Sequence, residues 1–242
     1  MSEEKLPFIA HLEELRKSLI ICAVAVGIGF VISYFFSERI FEILMKPLLE
    51  VLPSSSSLIF TGLTEAFFTY LKVSFLAGIF VASPVILYQI WSFIAPGLYE
   101  TEKKHAYPFV IFSTIFFAGG ALFGYFMVFP FGFKFFMSFA SDVIHPLPSI
   151  KEYLSLSTKL LFAFGIVFEL PLFILFLSMI GVVNAKMLSS QRKYALVIAF
   201  VFSAVLTPPD VVTQLMMAGP VFLLYELSIW VVRAIEKKEE SP

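Results

Sequence analysis

The sequence predicts an all-α polytopic membrane protein with six transmembrane helices, and two observations carry this prediction. Hydrophobic residues make up 59% of the 242-residue chain and charged residues only 14%, whereas soluble proteins carry about 25% charged residues. The charges are also confined to short segments between long apolar runs. Since an apolar run of about 18 residues can cross a bilayer as a helix, we expect one integral-membrane domain over residues 1–242.

The apolar runs set the positions of the expected spans, and the fifth run is the shortest. Between Lys193 and Pro208 it offers a helix of about 20 Å, against a hydrocarbon core of about 30 Å. We expect the bilayer to thin near the fifth and sixth spans, with a re-entrant pair of helices lining a cavity as the alternative. The six spans are expected at residues 18–36, 66–93, 106–129, 153–180, 193–206 and 211–231.

Proline lies within or at the edge of most of these spans. Each proline removes a backbone donor and tends to kink a helix. Kinked helices of unequal length favour a curved wall over a straight bundle, although membrane helices also tolerate proline without such a consequence. The residues concerned are Pro84, Pro108, Pro130, Pro171 and Pro220.

The distribution of Lys and Arg predicts the orientation of the chain, because these residues are retained on the cytoplasmic side of a membrane. Eleven of the 17 lie in the N-terminal segment, the second and fourth loops and the C-terminal tail, and four lie in the other loops. Both termini are therefore expected in the cytoplasm. Glutamates precede the first apolar run, unlike a cleaved signal peptide, so we expect the first span to be retained.

The sequence carries no pattern typical of a catalytic or metal site. Three histidines (His11, His105 and His145) lie in loops or at span ends, and both aspartates (Asp142 and Asp210) lie in outer loops. An intramembrane protease needs a serine with a histidine, or paired aspartates, at membrane depth. We therefore expect no enzymatic activity, no catalytic residue, no metal and no cofactor.

Two charged segments border the spans on the expected cytoplasmic side. Residues 11–17 form an amphipathic helical turn before the first span, in which Glu14 and Arg16 are available for recognition. The loop after the second span carries Glu102 beside Lys103. A carboxylate at a partly desolvated membrane edge suits guanidinium, which offers a planar bidentate fork. An interfacial anchor and an ordinary charged loop are the structural alternatives, and under them Glu14 and Glu102 would be dispensable.

Glu169 lies inside the fourth span with apolar residues on both sides. A charge at the centre of a membrane helix costs about 2.5–3.5 kcal/mol on insertion scales, so such residues usually face a bundle interior or a wet cavity. Glu169 is therefore a candidate functional residue; protonation, pairing with Lys72 or Lys159, and a hydrogen bond to backbone are the alternatives. A small secondary transporter with Glu169 as its proton or substrate site is the second candidate function, although the inverted repeat typical of that class is not visible.

Seven motifs, in order along nearly the whole chain, resemble the TatC family, the multispanning subunit of the twin-arginine protein translocase. They are HLEELRK at 11–17, KP at 46–47, TEAFF at 64–68, SPVILYQIWSFIAPGLYETEKK at 83–104, FAFGIVFELP at 162–171, RKY at 192–194 and LTPPD at 206–210. Their order and spacing agree with the six-span topology.

The resemblance implies a multi-pass receptor in the bacterial cytoplasmic membrane that exports folded proteins using the protonmotive force. It implies that signal peptides with paired arginines bind on the cytoplasmic side. The positions that match the family's signal-binding region, with their neighbours, are Glu14, Arg16, Phe93, Leu98, Glu102 and Lys103.

The resemblance also implies an oligomeric complex with single-span partners. TatA-like and TatB-like helices are expected on spans five and six, where short helices match a short partner. Glu169 and Gln214 are expected to serve intramembrane partner contact, and Pro47 and Asp210 are expected to have structural roles on the periplasmic side.

Overall fold

The long apolar runs of the chain form helices in the computed structural model. The structure describes residues 5–52, 58–59, 62–94, 106–141, 146–207 and 210–239. Within these ranges the regular elements are ten α-helices and one π-helical turn. They are α1 (Lys5–Phe35), α2 (Ser37–Leu49), α3 (Glu65–Ile94), α4 (Ala106–Phe123), the π-helical turn (Gly124–Val128), α5 (Phe129–Met137), α6 (Ile150–Phe168), α7 (Leu170–Met179), α8 (Ala185–Ser190), α9 (Arg192–Leu206) and α10 (Val211–Glu239).

The predicted all-α, multi-pass membrane fold is confirmed. Five segments of the described chain are long and apolar enough to cross a membrane, and they overlap the predicted spans one, two, three, four and six. The predicted fifth span is α9, whose 15 residues extend over roughly 22 Å. The five long segments are His11–Phe35, Glu65–Ile94, Pro108–Met137, Ile150–Met179 and Val211–Lys237.

Several helices extend beyond the predicted bounds or lie within predicted loops. α1 begins at Lys5, because residues 11–17 continue the helix of the first span without a break. The third span runs on to Met137, since Pro130 lies in the first turn of α5, where a missing N–H is tolerated. The predicted loop 37–65 contains α2, and the predicted loop 181–192 contains α8.

The described chain divides into two compact units, and the first consists of residues 1–41 and 70–115. In this unit α1 and α3 approach closely at a glycine pair. A Cβ atom on Gly29 would lie 2.5 Å from the Gly78 carbonyl oxygen, and one on Gly78 would lie 2.6 Å from the Phe30 nitrogen. Small residues of this kind let membrane helices pack backbone against backbone.

The second unit consists of residues 42–69 and 116–242. Its α4 and α6 also cross at glycine, since a Cβ atom on Gly120 would lie 2.3 Å from the Phe164 carbonyl oxygen. Two clusters of buried apolar residues pack α10 against α6 to α9. One contains Ile174, Ala185, Leu188, Ile229 and Val232, and the other contains Val167, Ala199, Val221 and Leu224.

The second unit also joins two segments that the sequence places in outer loops. Ile59 forms an isolated parallel bridge with Ser149, and the Ile150 N–H donates to the Ile59 carbonyl at 3.0 Å. Glu65, at the start of α3, accepts a hydrogen bond from the Lys151 N–H at 3.0 Å. Because Lys151 lies in the first turn of α6, where backbone donors lack helical partners, Glu65 acts as a cap supplied by a distant segment.

Candidate functional site

The first part of the candidate site lies where the N-terminal part of α1 meets the C-terminal end of α3, within the first unit. The rings of His11 and Phe93 stack with centroids 4.2 Å apart and an interplanar angle of 17°. Two residues before Phe93, the buried Trp91 donates from Nε1 to the Ser113 hydroxyl at 2.6 Å. This bond ties the end of α3 to α4, so the ring of Phe93 is carried by an anchored helix end.

Glu14 lies beside this stack, one turn after His11 on the same face of α1. Its Oε2 atom is 3.7 Å from His11 Nδ1, and 62% of its side chain remains exposed. The i, i+3 spacing of the two residues explains the contact. His11 therefore contacts both Glu14 and Phe93, two residues that the sequence predicts to belong to the signal-binding site.

Arg16, the third predicted residue of this segment, is exposed and borders a shallow apolar groove along α1. The groove has a volume of about 400 Å³. The other described residues that line it are Leu12, Leu15, Leu19, Ile20 and Ala23. Arg16 thus lies beside an apolar surface of its own helix, whereas Glu14 is not among the residues that line it.

Three predicted site residues, Leu98, Glu102 and Lys103, lie outside the described residues, and their roles stay predictions. His11 was not among the predicted site residues. A signal for it exists in the sequence, since HLEELRK places the imidazole three residues before Glu14.

The second part of the candidate site is the break in the fourth span at Glu169, between α6 and α7. Pro171 has no N–H to donate to the carbonyl of Val167, so the α-helical pattern is interrupted there. The Glu169 N–H instead donates to the Ile166 carbonyl at 3.0 Å. The Oε1 atom of Glu169 is buried, which places a carboxylate oxygen inside the protein at a kink in a membrane span.

The predicted polar residues of the sixth span make hydrogen bonds within the second unit. Asp210 caps α10, because its Oδ1 accepts from the Thr213 N–H at 2.8 Å and its Oδ2 accepts from the Thr213 hydroxyl. The Gln214 amide donates to the Phe200 carbonyl at 3.1 Å and so joins α10 to α9. The expected role of Gln214 in partner contact stays a prediction, and the cap agrees with the structural role expected for Asp210.

A bidentate ion pair fixes the start of α9 to α10. Arg192 donates from Nε and from a terminal guanidinium nitrogen to the two carboxylate oxygens of Glu226, at 2.6 and 2.9 Å. Both residues therefore serve packing of the second unit.

Pro47 is buried within α2. In the part of the chain that the structure describes, no group of three or more His, Cys, Asp or Glu residues is placed to hold a metal ion.

Comparisons with known proteins extend over nearly the whole chain. The family model of the Sec-independent protein translocase protein TatC matches residues 10–220. The TatC protein of Desulforapulum autotrophicum is 53% identical over 239 residues, which cover 99% of this chain and 88% of that protein. The TatC protein of Magnetococcus marinus is 50% identical over 236 residues, which cover 98% and 87% of the two chains.

Solved structures give the same result. A crystal structure of the twin-arginine translocase receptor TatC matches with a TM-score of 0.82 and 43% identity, covering 92% of this chain and 99% of that chain. The resemblance predicted from the seven sequence motifs is confirmed. In sequence and in fold, the chain belongs to the TatC family of Sec-independent protein translocase proteins.

Proposed function

We propose that this chain is the signal-peptide receptor and core subunit of a twin-arginine translocase, which exports folded proteins across the cytoplasmic membrane using the protonmotive force. The observation that carries the proposal is the His11–Phe93 stack beside the exposed carboxylate of Glu14. The solved structures that support it are of a twin-arginine translocase receptor. Since the curated relatives are translocase proteins, the comparisons favour this function over a small secondary transporter.

Recognition of two neighbouring arginines requires carboxylates at the surface. Glu14 offers one beside the stack, and Glu102, in the segment after α3, supplies the second. Each charge-assisted hydrogen bond contributes about 1.5–3 kcal/mol. Lysine cannot reproduce the bidentate guanidinium fork, so a signal with two lysines binds more weakly.

The rest of a signal peptide is accommodated by the apolar groove on α1. Signal peptides carry an apolar stretch of about 7–15 residues after their charged region. The residues that line the groove run from Leu12 to Ala23, so it lies beside Arg16 and within the first membrane-spanning segment, His11–Phe35. We assign Arg16 and Lys103 to the same site, with Phe93 and Leu98 as its apolar neighbours.

The partner subunits and the orientation of the chain complete the proposal. Both termini lie in the cytoplasm, on the side richer in Lys and Arg. TatA-like and TatB-like single-span proteins pack on α9 and α10, because α9 presents an exposed apolar face and is short enough to match a short partner helix. The exposed residues of that face are Val197, Ile198, Val201 and Val205.

A binding measurement on the purified full chain in lipid nanodiscs tests the proposal. A peptide with paired arginines binds the native chain, and its Kd rises about 10- to 100-fold for Glu14→Ala, which corresponds to the loss of one charge-assisted bond. The matched control is Glu13→Ala, because Glu13 is an exposed glutamate adjacent to Glu14 in α1. This variant is expected to keep the Kd within about twofold of the native value. Equal loss in both variants, or equal affinity for paired arginines and paired lysines, would overturn the proposal.

A further inference from the structure

Pro47 creates a hydrogen-bond acceptor in α2. In an α-helix the N–H of each residue donates to the carbonyl four residues earlier. Proline has no N–H, so the carbonyl of Ile43 loses the donor that residue 47 would otherwise supply. The hydroxyl of Tyr125 donates to this Ile43 carbonyl at 2.5 Å. A side chain of the third span thus takes the place of the missing backbone donor.

A second tyrosine bonds to the next carbonyl of α2. The hydroxyl of Tyr153, from α6, donates to the Leu44 carbonyl at 2.6 Å. This acceptor differs from the first, because the residue four positions after Leu44 is Leu48, which has an N–H. Only the bond from Tyr125 therefore depends on the proline.

The two tyrosines belong to one aromatic row within the second unit. Phe129 lies 6.0 Å from Tyr125, Phe133 lies 5.4 Å from Phe129, and Tyr153 lies 5.1 Å from Phe133, all between ring centroids. Phe129 and Phe133 are 1% and 5% exposed. The row holds both hydroxyls in fixed positions for the two α2 carbonyls.

The backbone at Tyr125 is also specialised. Tyr125 lies in the π-helical turn, where the Phe129 N–H donates to Gly124, five residues earlier. Such a turn changes the direction in which the side chains of a helix project. It adjoins Pro130, whose own missing N–H disturbs the α-helical pattern. The third span is thus irregular at the residue that reaches α2.

The carbonyl freed by another proline is satisfied in a different way. Pro84 frees the carbonyl of Phe80, and the neighbouring Ser83 hydroxyl donates to it at 2.7 Å within the same helix. At Pro47 the replacement donor comes instead from another span. The long-range bond is therefore a particular feature of α2 and not a general consequence of proline in this chain.

We propose that Pro47 and Tyr125 act as a matched pair that fixes α2 to the third span. The pair is termed the Pro47 lock and consists of Pro47, the Ile43 carbonyl and Tyr125, all of which lie in the second unit. Both residues act on the position of α2 within this unit, and neither belongs to the proposed signal-peptide site. The lock is thus independent of the proposed function and goes beyond it.

A double-mutant cycle on the purified full chain in detergent, without signal peptide, tests the lock. Tyr125→Phe removes one hydrogen bond and lowers the Tm by about 2–4 °C. In the Pro47→Ala background the new N–H of residue 47 donates to the Ile43 carbonyl, so this carbonyl no longer needs Tyr125. Tyr125→Phe is then expected to lower the Tm by less than about half of its effect in the native background. An equal Tm loss from Tyr125→Phe in both backgrounds would overturn the proposal.

Tyr153→Phe is the matched control for this cycle, because its acceptor does not depend on the proline. Its Tm loss is expected to be the same in the native and the Pro47→Ala backgrounds. If Pro47→Ala does not fold, amide hydrogen exchange of Tyr125→Phe decides the question. Faster exchange in α2 than in the native chain supports the lock, and unchanged exchange there contradicts it.

Discussion

Two carboxylates predicted to be functional lie in opposite surroundings in the two units. In the first unit Glu14 is mostly exposed and lies beside the His11–Phe93 stack. In the second unit Glu169 lies at the break between α6 and α7 with one oxygen buried. An exposed carboxylate is accessible to a ligand that arrives from water, whereas a buried one acts on groups within the protein or the membrane. We therefore expect Glu14 to act in signal recognition and Glu169 to act in a later step.

Other polar side chains of the second unit sharpen this contrast, because they are used to hold the fold together. Glu65 caps α6, Asp210 caps α10, and Glu226 pairs with Arg192. Glu236 accepts from the Ala185 N–H at 3.0 Å and so supports the start of α8. These residues are expected to affect stability and not signal binding.

The largest effect is expected for Glu169→Ala, which should abolish export while signal-peptide binding is retained. Glu169→Ala blocks export of a folded substrate but leaves the Kd for a paired-arginine peptide within about threefold, because Glu169 is not among the residues proposed to bind the signal peptide. Glu14→Ala is expected to lose both signal-peptide binding and export. Export assayed in membrane vesicles and binding in nanodiscs report the two quantities. Loss of signal binding in Glu169→Ala would remove the distinction between the two carboxylates.

A large effect on stability is expected where glycine allows two helices to touch. Gly120→Ala forces the new Cβ against the Phe164 carbonyl, and such overpacking typically costs about 1–3 kcal/mol. Each kcal/mol lowers the Tm of a chain of this size by about 2–4 °C.

The neighbouring Gly119 provides the control for this prediction, since a Cβ atom there meets nothing within 4 Å. Gly119→Ala is expected to leave the Tm unchanged or to raise it, because alanine favours a helix. In the first unit Gly29→Ala and Gly27→Ala form the corresponding pair. Equal Tm values for Gly119→Ala and Gly120→Ala would show that the α4–α6 crossing is looser than described.

A smaller effect is expected at the cap that Glu65 provides for α6. Glu65→Ala leaves the Lys151 N–H without its acceptor and costs about 1 kcal/mol, as for other helix caps. Thermal unfolding measures the loss, and hydrogen exchange locates it in the first turn of α6. Glu152→Ala, an exposed glutamate in that same turn, serves as the control, and an equal loss there would argue against capping.

The smallest effect is expected at the Arg192–Glu226 pair. Arg192→Lys keeps the charge but loses the bidentate geometry, so the Tm falls slightly and less than in Glu65→Ala. Because neither residue belongs to the proposed signal-peptide site, peptide binding is expected to be unchanged. A weakened affinity for the paired-arginine peptide would contradict the assignment of this pair to packing.

The membrane spans were largely predictable from the sequence. Each end of α3 lies one residue beyond the predicted bound. The prediction succeeds because a long apolar run is limited by charged and turn-forming residues. The shortness of α9 followed from the positions of Lys193 and Pro208. In each case the signal is local, since the bilayer imposes the length of an apolar helix.

Features that depend on distant contacts were not predictable in this way. α2 lies in a predicted loop, and the Ile43 carbonyl that its proline leaves without a helical donor accepts a hydrogen bond from Tyr125 in another span. The His11–Phe93 stack likewise joins two helices that are remote along the chain. For Glu169 the sequence placed the residue within its span, but only the structure shows the break at which it lies.

The central claim is that a paired-arginine signal binds where the N-terminal part of α1 meets the C-terminal end of α3, with Glu102 as a second carboxylate. The most direct test places a photoreactive residue at position 98 and a control at position 63, where Leu63 is fully exposed just before α3. We expect position 98 to crosslink to the paired-arginine precursor and not to the paired-lysine precursor. We expect no crosslink from position 63 to either precursor. Crosslinking from position 98 to both precursors, or to neither in correctly inserted protein, would contradict the claim.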